Sequence, residues 1–120
     1  ILMNRTQKTA DDLAKEYNCE TATWSVDNYI PDQTSLLINT TSLGMSGKGA
    51  LTVNMNQLAD HAAVHDIVYA PLETQLLREA SEQGFATVDG LGMLLYQAQK
   101  AFALWHGVEP KVTGALRAHV

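Results

Sequence analysis

The sequence predicts an α/β domain in which an open parallel sheet carries helices on both faces. Short segments rich in β-branched and aromatic residues alternate with segments whose apolar residues recur at helical spacing. One short segment, residues 35–39, is nearly all apolar, as strands covered on both faces of a parallel sheet tend to be. At residues 88–97 a strand passes through an acid and two glycines directly into a helical pattern. Strands and helices that alternate in this way favour crossover connections and therefore parallel strands.

Five strands are predicted in order along the chain. The first is the tail of an apolar strand, and the second is closed by polar turns at residues 27–28 and 31–32. The fourth is stopped by Pro71, and the fifth leads directly into a helix. The predicted strands are residues 1–3, 21–26, 35–39, 64–69 and 85–88.

The helices are predicted from the spacing of their apolar residues, and Gly84 follows the third helix as a C-terminal cap would. The predicted helices cover residues 10–17, 55–60, 73–83, 91–105 and 110–120. On a helical wheel begun at Leu91, one face of the fourth helix is apolar and is expected to be core. This face carries Leu94, Leu95, Ala98, Ala101, Phe102 and Trp105. Gly90 and Gln97 lie about two turns apart at the edge of the face, where they could border a cleft.

Length and composition exclude several classes of protein. The chain has 120 residues, of which 46% are hydrophobic, so it suits one domain with a real core. Its net charge is -5 and its basic residues are scattered, which argues against a nucleic-acid surface. No apolar run reaches the roughly 18 residues of a membrane span, and no signal peptide is visible. Cys19 is the single cysteine, so no intrachain disulfide can form. We therefore expect a cytoplasmic protein that binds neither nucleic acid nor membrane.

Polar clusters follow four of the predicted strands, and the carboxyl ends of parallel strands share one edge of a sheet. We expect these clusters to meet at one rim: residues 4–6, residues 39–42, Tyr69 and residues 89–90. In Asn4-Arg5-Thr6, an arginine, a hydroxyl and helix N–H groups could hold a phosphate. In a complete dinucleotide-binding fold, an arginine at the end of the second strand suits NADP, whereas an acid there suits NAD. Arg5 would fit that place if residues 1–3 of this chain correspond to the second strand of such a fold. The alternative, which the spacing leaves open, is that Thr6 caps the helix and Arg5 is solvated.

Other motifs indicate chemistry only weakly. The glycines of residues 44–49 lack the spacing of a nucleoside-triphosphate loop, and residues 89–92 lack the third glycine of a dinucleotide fingerprint. His61 and His65 straddle a predicted change from helix to strand, so no metal site is predicted. Cys19 has no neighbouring histidine, and no Ser/His/Asp arrangement can be assembled. No catalytic residue is therefore assigned in this chain.

Four motifs, taken in order, resemble those of the shikimate dehydrogenases. The motifs are Asn-Arg-Thr at residues 4–6, Ile-Asn-Thr-Thr-Ser-Leu-Gly-Met at residues 38–45, Asp-Ile-Val-Tyr-Ala-Pro-Leu-Glu-Thr at residues 66–74 and Asp-Gly-Leu-Gly-Met-Leu-Leu-Tyr-Gln-Ala at residues 89–98. The resemblance covers essentially the entire chain and corresponds to the carboxyl-terminal part of a family member. It implies a partial Rossmann-like, NADP-binding domain over residues 1–120. The implied reaction is reversible hydride transfer between NADP and shikimate, giving 3-dehydroshikimate, in aromatic amino acid biosynthesis.

The resemblance also implies roles for individual residues. Those implied to bind the cofactor are Asn4, Arg5, Thr6, Thr41, Ser42, Ile67 and Gly90. Those implied to bind the substrate are Tyr69 and Gln97. Arg5 would set the preference for NADP over NAD through the 2′-phosphate, because a charge-assisted contact contributes about 1.5 to 3 kcal/mol. The side chain of Gln97 both donates and accepts hydrogen bonds, which suits a polyol ring.

The chain departs from the family pattern in two motifs. The family often has a lysine three residues after its Asn-Arg-Thr, where this chain has Thr9. The neighbouring Lys8 is turned by about 100° around the helix and could miss the phosphate. The usual Tyr-Asn-Pro is here Tyr69-Ala70-Pro71, which leaves position 70 without a polar side chain.

Other parts of the family pattern have no counterpart in the sequence, which begins without methionine inside an apolar strand. These parts are the amino-terminal domain with its catalytic lysine and aspartate, the first Rossmann strand and its glycine-rich pyrophosphate loop. We interpret the chain as a fragment, inactive alone, with a gap in its sheet whose edges could pair with a second copy. Two alternatives remain open: a non-catalytic interaction module that self-associates through this edge, and the cofactor half of a quinate/shikimate dehydrogenase.

Overall fold

The computed structural model describes residues 1–25 and 30–120. Over these ranges the chain forms five strands and four α-helices, in the order β1-α1-β2-β3-β4-α2-β5-α3-α4, with one 3₁₀ turn at Met55–Gln57 between β3 and β4. The strands are β1 (Leu2–Asn4), β2 (Thr21–Thr23), β3 (Thr34–Asn39), β4 (Leu58–Asp66) and β5 (Ala86–Val88). The helices are α1 (Gln7–Tyr17), α2 (Gln75–Glu82), α3 (Leu91–His106) and α4 (Gly114–Arg117).

All strand pairs are parallel, as the alternating pattern predicts. The strands form two separate sheets, one with the order β1-β2 and the other with the order β3-β4-β5. Among the described residues no ladder joins β1 to β3, so the division falls where the sequence predicts a gap. A groove of about 420 Å³ lies between these strands, and Leu2, Met3, Leu37 and Ile38 are among its lining residues.

Four predicted elements have clearly different bounds in the structure, and one of them is α4, which covers only Gly114–Arg117 instead of residues 110–120. β4 runs from Leu58 to Asp66 instead of over residues 64–69, and the helix predicted at residues 55–60 is only the short 3₁₀ turn. Alanine and aspartate are poor strand formers, but Leu58 pairs with Thr34 at the start of β3 and Ala63 pairs with Leu36, so the strand extends back across a register shift. The second strand ends at Thr23, and the predicted turn at residues 27–28 lies outside the described residues.

The core lies between α2 and the three-stranded sheet. Leu76 and Ala80 are 1% and 0% exposed, and α2 places them with Leu77 on one face. Burying a leucine side chain contributes about 1.5 to 3 kcal/mol, so this face anchors the helix. The buried core cluster is Ile30, Leu51, Met55, Leu58, Ala62, Val64, Leu76, Leu77 and Ala80.

The apolar face predicted for α3 is core only at its first turns. Leu91 and Leu95 are buried, but Phe102 is 43% exposed and Trp105 is 78% exposed. The prediction that the whole face is core was therefore wrong. Beyond Leu95 every residue of this face is at least partly exposed among the described residues, so the face is buried against the rest of the protein only at the start of α3. In the described ranges, no helix is both long and apolar enough to cross a membrane.

Candidate functional site

The site begins where β3 and β4 end side by side. Asn39 and Asp66 are register partners, and their side chains are 2% and 0% exposed. The Asn39 amide Nδ2 donates to Asp66 Oδ1 at 3.0 Å, and the Ile67 N–H donates to the Asn39 carbonyl oxygen at 3.1 Å. Buried polar groups need partners, because an unpaired one destabilises the fold by about 1 to 3 kcal/mol. These two hydrogen bonds therefore hold the ends of β3 and β4 at a defined separation.

Asn39 also shapes the loop that follows β3. Its Oδ1 accepts from the Thr41 N–H at 2.9 Å and from the Thr41 hydroxyl at 2.8 Å, and its Nδ2 also donates to the Leu43 carbonyl at 3.0 Å. The Thr41 hydroxyl in turn accepts from the Leu43 N–H at 3.0 Å. The Thr41 side chain thus holds the turn itself, while the neighbouring Ser42 is exposed and open to a ligand.

Asp66 connects this turn to two further segments. Its Oδ1 accepts from the Val68 N–H at 3.0 Å, and its Oδ2 accepts from the Thr74 hydroxyl at 2.7 Å. Thr74 caps α2 by accepting from the Leu77 N–H at 3.3 Å. Over residues 1–25 and 30–120 the two ion pairs are Lys8–Asp12 and Arg117–Asp89, so the Asp66 carboxylate is held by hydrogen-bond donors rather than by a cation.

Gly90 brings the start of α3 against the same segment. Its N–H donates to the Val68 carbonyl at 3.1 Å, and a Cβ added to Gly90 would lie 2.0 Å from the carbonyl oxygen of Ile67. Only a glycine permits this approach. Asp89 fixes the first turn of α3 by accepting from the Leu91 N–H at 3.0 Å, and its other carboxylate oxygen accepts from Arg117 of α4.

The structure therefore brings together the predicted residues of three segments. Thr41, Ile67 and Gly90 are linked through Asn39, Asp66 and the backbone of Val68. Tyr69 follows directly and is 45% exposed, and Gln97 is exposed on α3 about two turns beyond Gly90. The ligands of all these residues stay predictions.

Asn4-Arg5-Thr6 lies apart from this network, at the end of β1 in the other sheet. Asn4 Oδ1 accepts from the Thr6 N–H at 2.8 Å, and Thr6 occupies the N-cap position of α1 without a side-chain capping bond. Arg5 is exposed and has no ion pair in the part of the chain that the structure describes. Lys8 pairs with Asp12 at 2.6 Å, which holds its ammonium one turn further along α1. This geometry favours Arg5 and the helix N–H groups, rather than Lys8, as a phosphate site.

Sequence reasoning assigned no role to three polar residues that organise the site: Asn39, Asp66 and Thr74. For Asn39 and Asp66 the available signal was their position, since a polar residue directly at the end of a buried strand must find partners there. For Thr74 it was a hydroxyl directly before a helical pattern, which is typical of an N-cap. Within the described ranges, no group of three histidine, cysteine, aspartate or glutamate residues could hold a metal ion.

Comparison with known proteins gives a consistent result. The model of the shikimate 5′-dehydrogenase C-terminal domain matches residues 90–118. The chain is 48% identical over 119 residues to the shikimate dehydrogenase (NADP(+)) of Rhodopseudomonas palustris strain BisB18, covering 98% of this chain and 43% of that protein.

Two solved structures have the same fold. The ligand-free 5-ketofructose reductase of Gluconobacter sp. strain CHM43 is 32% identical with a TM-score of 0.82, covering 91% of this chain and 42% of that one. The shikimate 5-dehydrogenase of Thermus thermophilus in complex with NADP(H) and shikimate is 33% identical with a TM-score of 0.72, covering 91% and 40%. These likenesses confirm the Rossmann-like α/β fold, and the chain spans less than half the length of each relative.

Proposed function

Since this chain belongs to the shikimate dehydrogenase family by sequence, we propose that it forms the NADP-binding wall of an NADP-dependent shikimate dehydrogenase. The observation that carries the proposal is the exposed Arg5, which lies without an ion pair in the described ranges beside the N–H groups that open α1. An arginine there fits the extra phosphate that distinguishes NADP from NAD. When bound, NADP would accept or supply the hydride that interconverts shikimate and 3-dehydroshikimate.

The chain's residues fit the two ends of such a cofactor. Asn4, Arg5 and Thr6 would bind the 2′-phosphate. Ser42 would contact the middle of the molecule from the turn that Thr41 holds. At the far end, Ile67 and Gly90 would offer backbone contacts to the nicotinamide, at the point where the absent side chain of Gly90 lets α3 start against Ile67.

The substrate would lie beyond the nicotinamide, against Tyr69 and Gln97. Both side chains are exposed and carry groups that donate and accept hydrogen bonds, as the hydroxyls of a polyol ring require. The lysine and aspartate that handle the proton in the family have no counterpart in the four matching motifs. We therefore propose that residues outside these 120 transfer the proton. We also propose that the enzyme is cytoplasmic.

The chain alone is expected to bind NADPH weakly and to have no dehydrogenase activity. Thermal unfolding should shift upward with NADPH, because a ligand that binds only the folded state stabilises it. No reduction of NADP by shikimate should exceed a blank. Steady-state turnover would refute the assignment of the proton chemistry to other residues, and a melting temperature indifferent to NADPH would refute the cofactor site.

Replacing Arg5 by alanine should weaken NADP binding selectively. The experiment uses a chimaera in which this chain replaces the matching part of the Rhodopseudomonas palustris enzyme. Losing one charge-assisted contact of about 1.5 to 3 kcal/mol should raise KM for NADP by roughly 10- to 150-fold, with little change in KM for shikimate. The control is Lys8→Ala, since Lys8 already pairs with Asp12. An equal rise in both KM values would remove Arg5 from the phosphate site.

The groove between β1 and β3 favours a second candidate, an interaction module that self-associates. Each strand is at the edge of its sheet, and Leu36 and Ile38 of β3 are 53% and 46% exposed. Exposed apolar edges promote pairing with another chain. A stable homodimer in light scattering, unaffected by NADPH, would favour this module over the cofactor site. A monomer that NADPH stabilises would favour the enzyme.

The same chimaera would test the substrate. Shikimate should be its preferred substrate, and quinate and 5-ketofructose are the alternatives to assay. Quinate follows from the related dual-specificity dehydrogenases, and 5-ketofructose is the substrate in the name of the similar Gluconobacter reductase. The preference among shikimate, quinate and 5-ketofructose would depend on the residues that contact the substituents of each substrate.

A further inference from the structure

We propose that Asp66 is a positioning residue for the cofactor, because its buried carboxylate holds the turn at residues 40–43 and the segment at residues 67–69 at a constant separation. This inference rests on the proposed function, in which both segments contact NADP. Asp66 itself is 0% exposed and would touch neither cofactor nor substrate. Its influence would pass through Asn39, Val68 and Thr74.

The carboxylate accepts three hydrogen bonds that come from three parts of the chain. Oδ1 accepts from Asn39 Nδ2 and from the Val68 N–H, each at 3.0 Å, and Oδ2 accepts from the Thr74 hydroxyl at 2.7 Å. Asn39 carries the turn, Val68 lies between Ile67 and Tyr69, and Thr74 begins α2. Three donors from separate segments meet one buried carboxyl group, so a single side chain sets three relative positions.

The link continues to α3 and to the loop. The Val68 carbonyl accepts from the Gly90 N–H at 3.1 Å, so the backbone that Asp66 orients also seats the start of α3. On the other side, a Cβ on Gly44 would lie 3.3 Å from Thr74 Cγ2 and 3.7 Å from Asp66 Oδ2, so the loop rests on the same two side chains. The turn at residues 40–43 and the segment at residues 67–69, which would both lie beside the nicotinamide, are thus held by Asp66. Asn4-Arg5-Thr6 belongs to the other sheet.

The test that needs no ligand is amide hydrogen exchange of the chain carrying Asp66→Ala. The reporters are the N–H groups of Thr41 and Leu43, because the substitution leaves their own acceptors intact. Their exchange should accelerate by about tenfold or more. The control is the Phe85 N–H, which bonds to the Ala80 carbonyl away from the network and should change by less than about threefold. Equal acceleration of all three amides, or none at Thr41 and Leu43, would overturn the proposal.

Ligand binding separates positioning from general destabilisation. Asp66→Ala should weaken NADPH by about tenfold but 2′,5′-ADP, which reaches only the adenosine end, by less than about twofold. Equal weakening of both ligands would overturn the positioning role. A parent chain that binds neither ligand would instead refute the proposed function, and the exchange measurement would still decide the role of Asp66.

Thr74 provides a matched pair if Asp66→Ala does not fold. Thr74→Val has almost the same shape but loses the hydroxyl, whereas Thr74→Ser keeps the hydrogen bonds to Asp66 and from the Leu77 N–H. Exchange at Thr41 and Leu43 should accelerate in the valine variant and stay at the parental rate in the serine variant. Identical behaviour of the two variants would overturn the proposal.

Discussion

Gly90→Ala is expected to destabilise the chain by more than about 3 kcal/mol, enough to remove much of the stability of a domain of this size. The added Cβ would lie 2.0 Å from the Ile67 oxygen and 2.3 Å from the Ile67 carbonyl carbon. These backbone atoms lie between the Ile67 N–H, which bonds to the Asn39 carbonyl, and the Val68 N–H, which bonds to Asp66, so they cannot turn aside as a side chain could. Urea unfolding of the two chains measures the difference.

Gly92→Ala is the matched control for this prediction. Gly92 lies two residues further along, in the first turn of α3, but a Cβ there would meet nothing within 4 Å. Alanine in a helix is favoured over glycine by about 0.5 to 1 kcal/mol, so this variant should be slightly more stable than the parent. If Gly90→Ala unfolds at the parental urea concentration, α3 does not pack on residues 67–68 as described.

Asn39→Asp is expected to destabilise the chain by about 3 to 5 kcal/mol at neutral pH. The substitution removes the donor that bonds to Asp66 Oδ1 at 3.0 Å and to the Leu43 carbonyl, and it places a second carboxyl beside the first in a buried site. The acceptor toward Thr41 remains, so the loss reports on the two bonds that Asn39 Nδ2 donates, to Asp66 and to the Leu43 carbonyl. Thermal and urea unfolding at several pH values measures it.

The pH dependence of this variant has a definite sign. Burial beside Asp66 should raise the pKa of the introduced carboxyl at position 39, since two buried carboxylates disfavour each other's ionisation. A raised pKa in the folded state means that stability is retained at low pH and lost as the pH rises through that value. The deficit relative to the parent should therefore be larger at about pH 8 than at about pH 5.

Asn54→Asp is the control for the charge itself. Asn54 is exposed and its side chain accepts from the Asn56 N–H at 3.0 Å, a role that a carboxylate also fills. Its unfolding should show no comparable pH-dependent deficit. A deficit for Asn39→Asp that stays constant between these pH values would contradict close approach of the two carboxyls.

Much of the fold follows from local patterns in the sequence. The spacing of apolar residues predicts α1, α2 and α3 to within a few residues, and the parallel arrangement follows from the alternation of strands and helices. β4 was harder, because residues 58–63 have weak strand preference and are tied to β3 only at Leu58 and Ala63, on either side of a register shift. Periodicity likewise identified the apolar face of α3 but could not tell that nothing among the described residues covers Trp105.

Part of the candidate site can likewise be predicted from the sequence, and part of it depends on long-range packing. The four motifs, and with them Arg5, Thr41, Gly90 and Gln97, can be read directly from the sequence, although their ligands stay predictions. The bond between Asn39 and Asp66 joins residues 27 positions apart, and only the register of β3 and β4 sets it.

Local sequence patterns predict the order of the strands and most of the helices, because backbone geometry repeats over a few residues. The bond between Asn39 and Asp66, the contact of Gly90 with Ile67 and the separation of β1 and β3 into two sheets appear only once the chain is packed. These are long-range contacts, and they depend on how distant segments pack, which no local pattern contains.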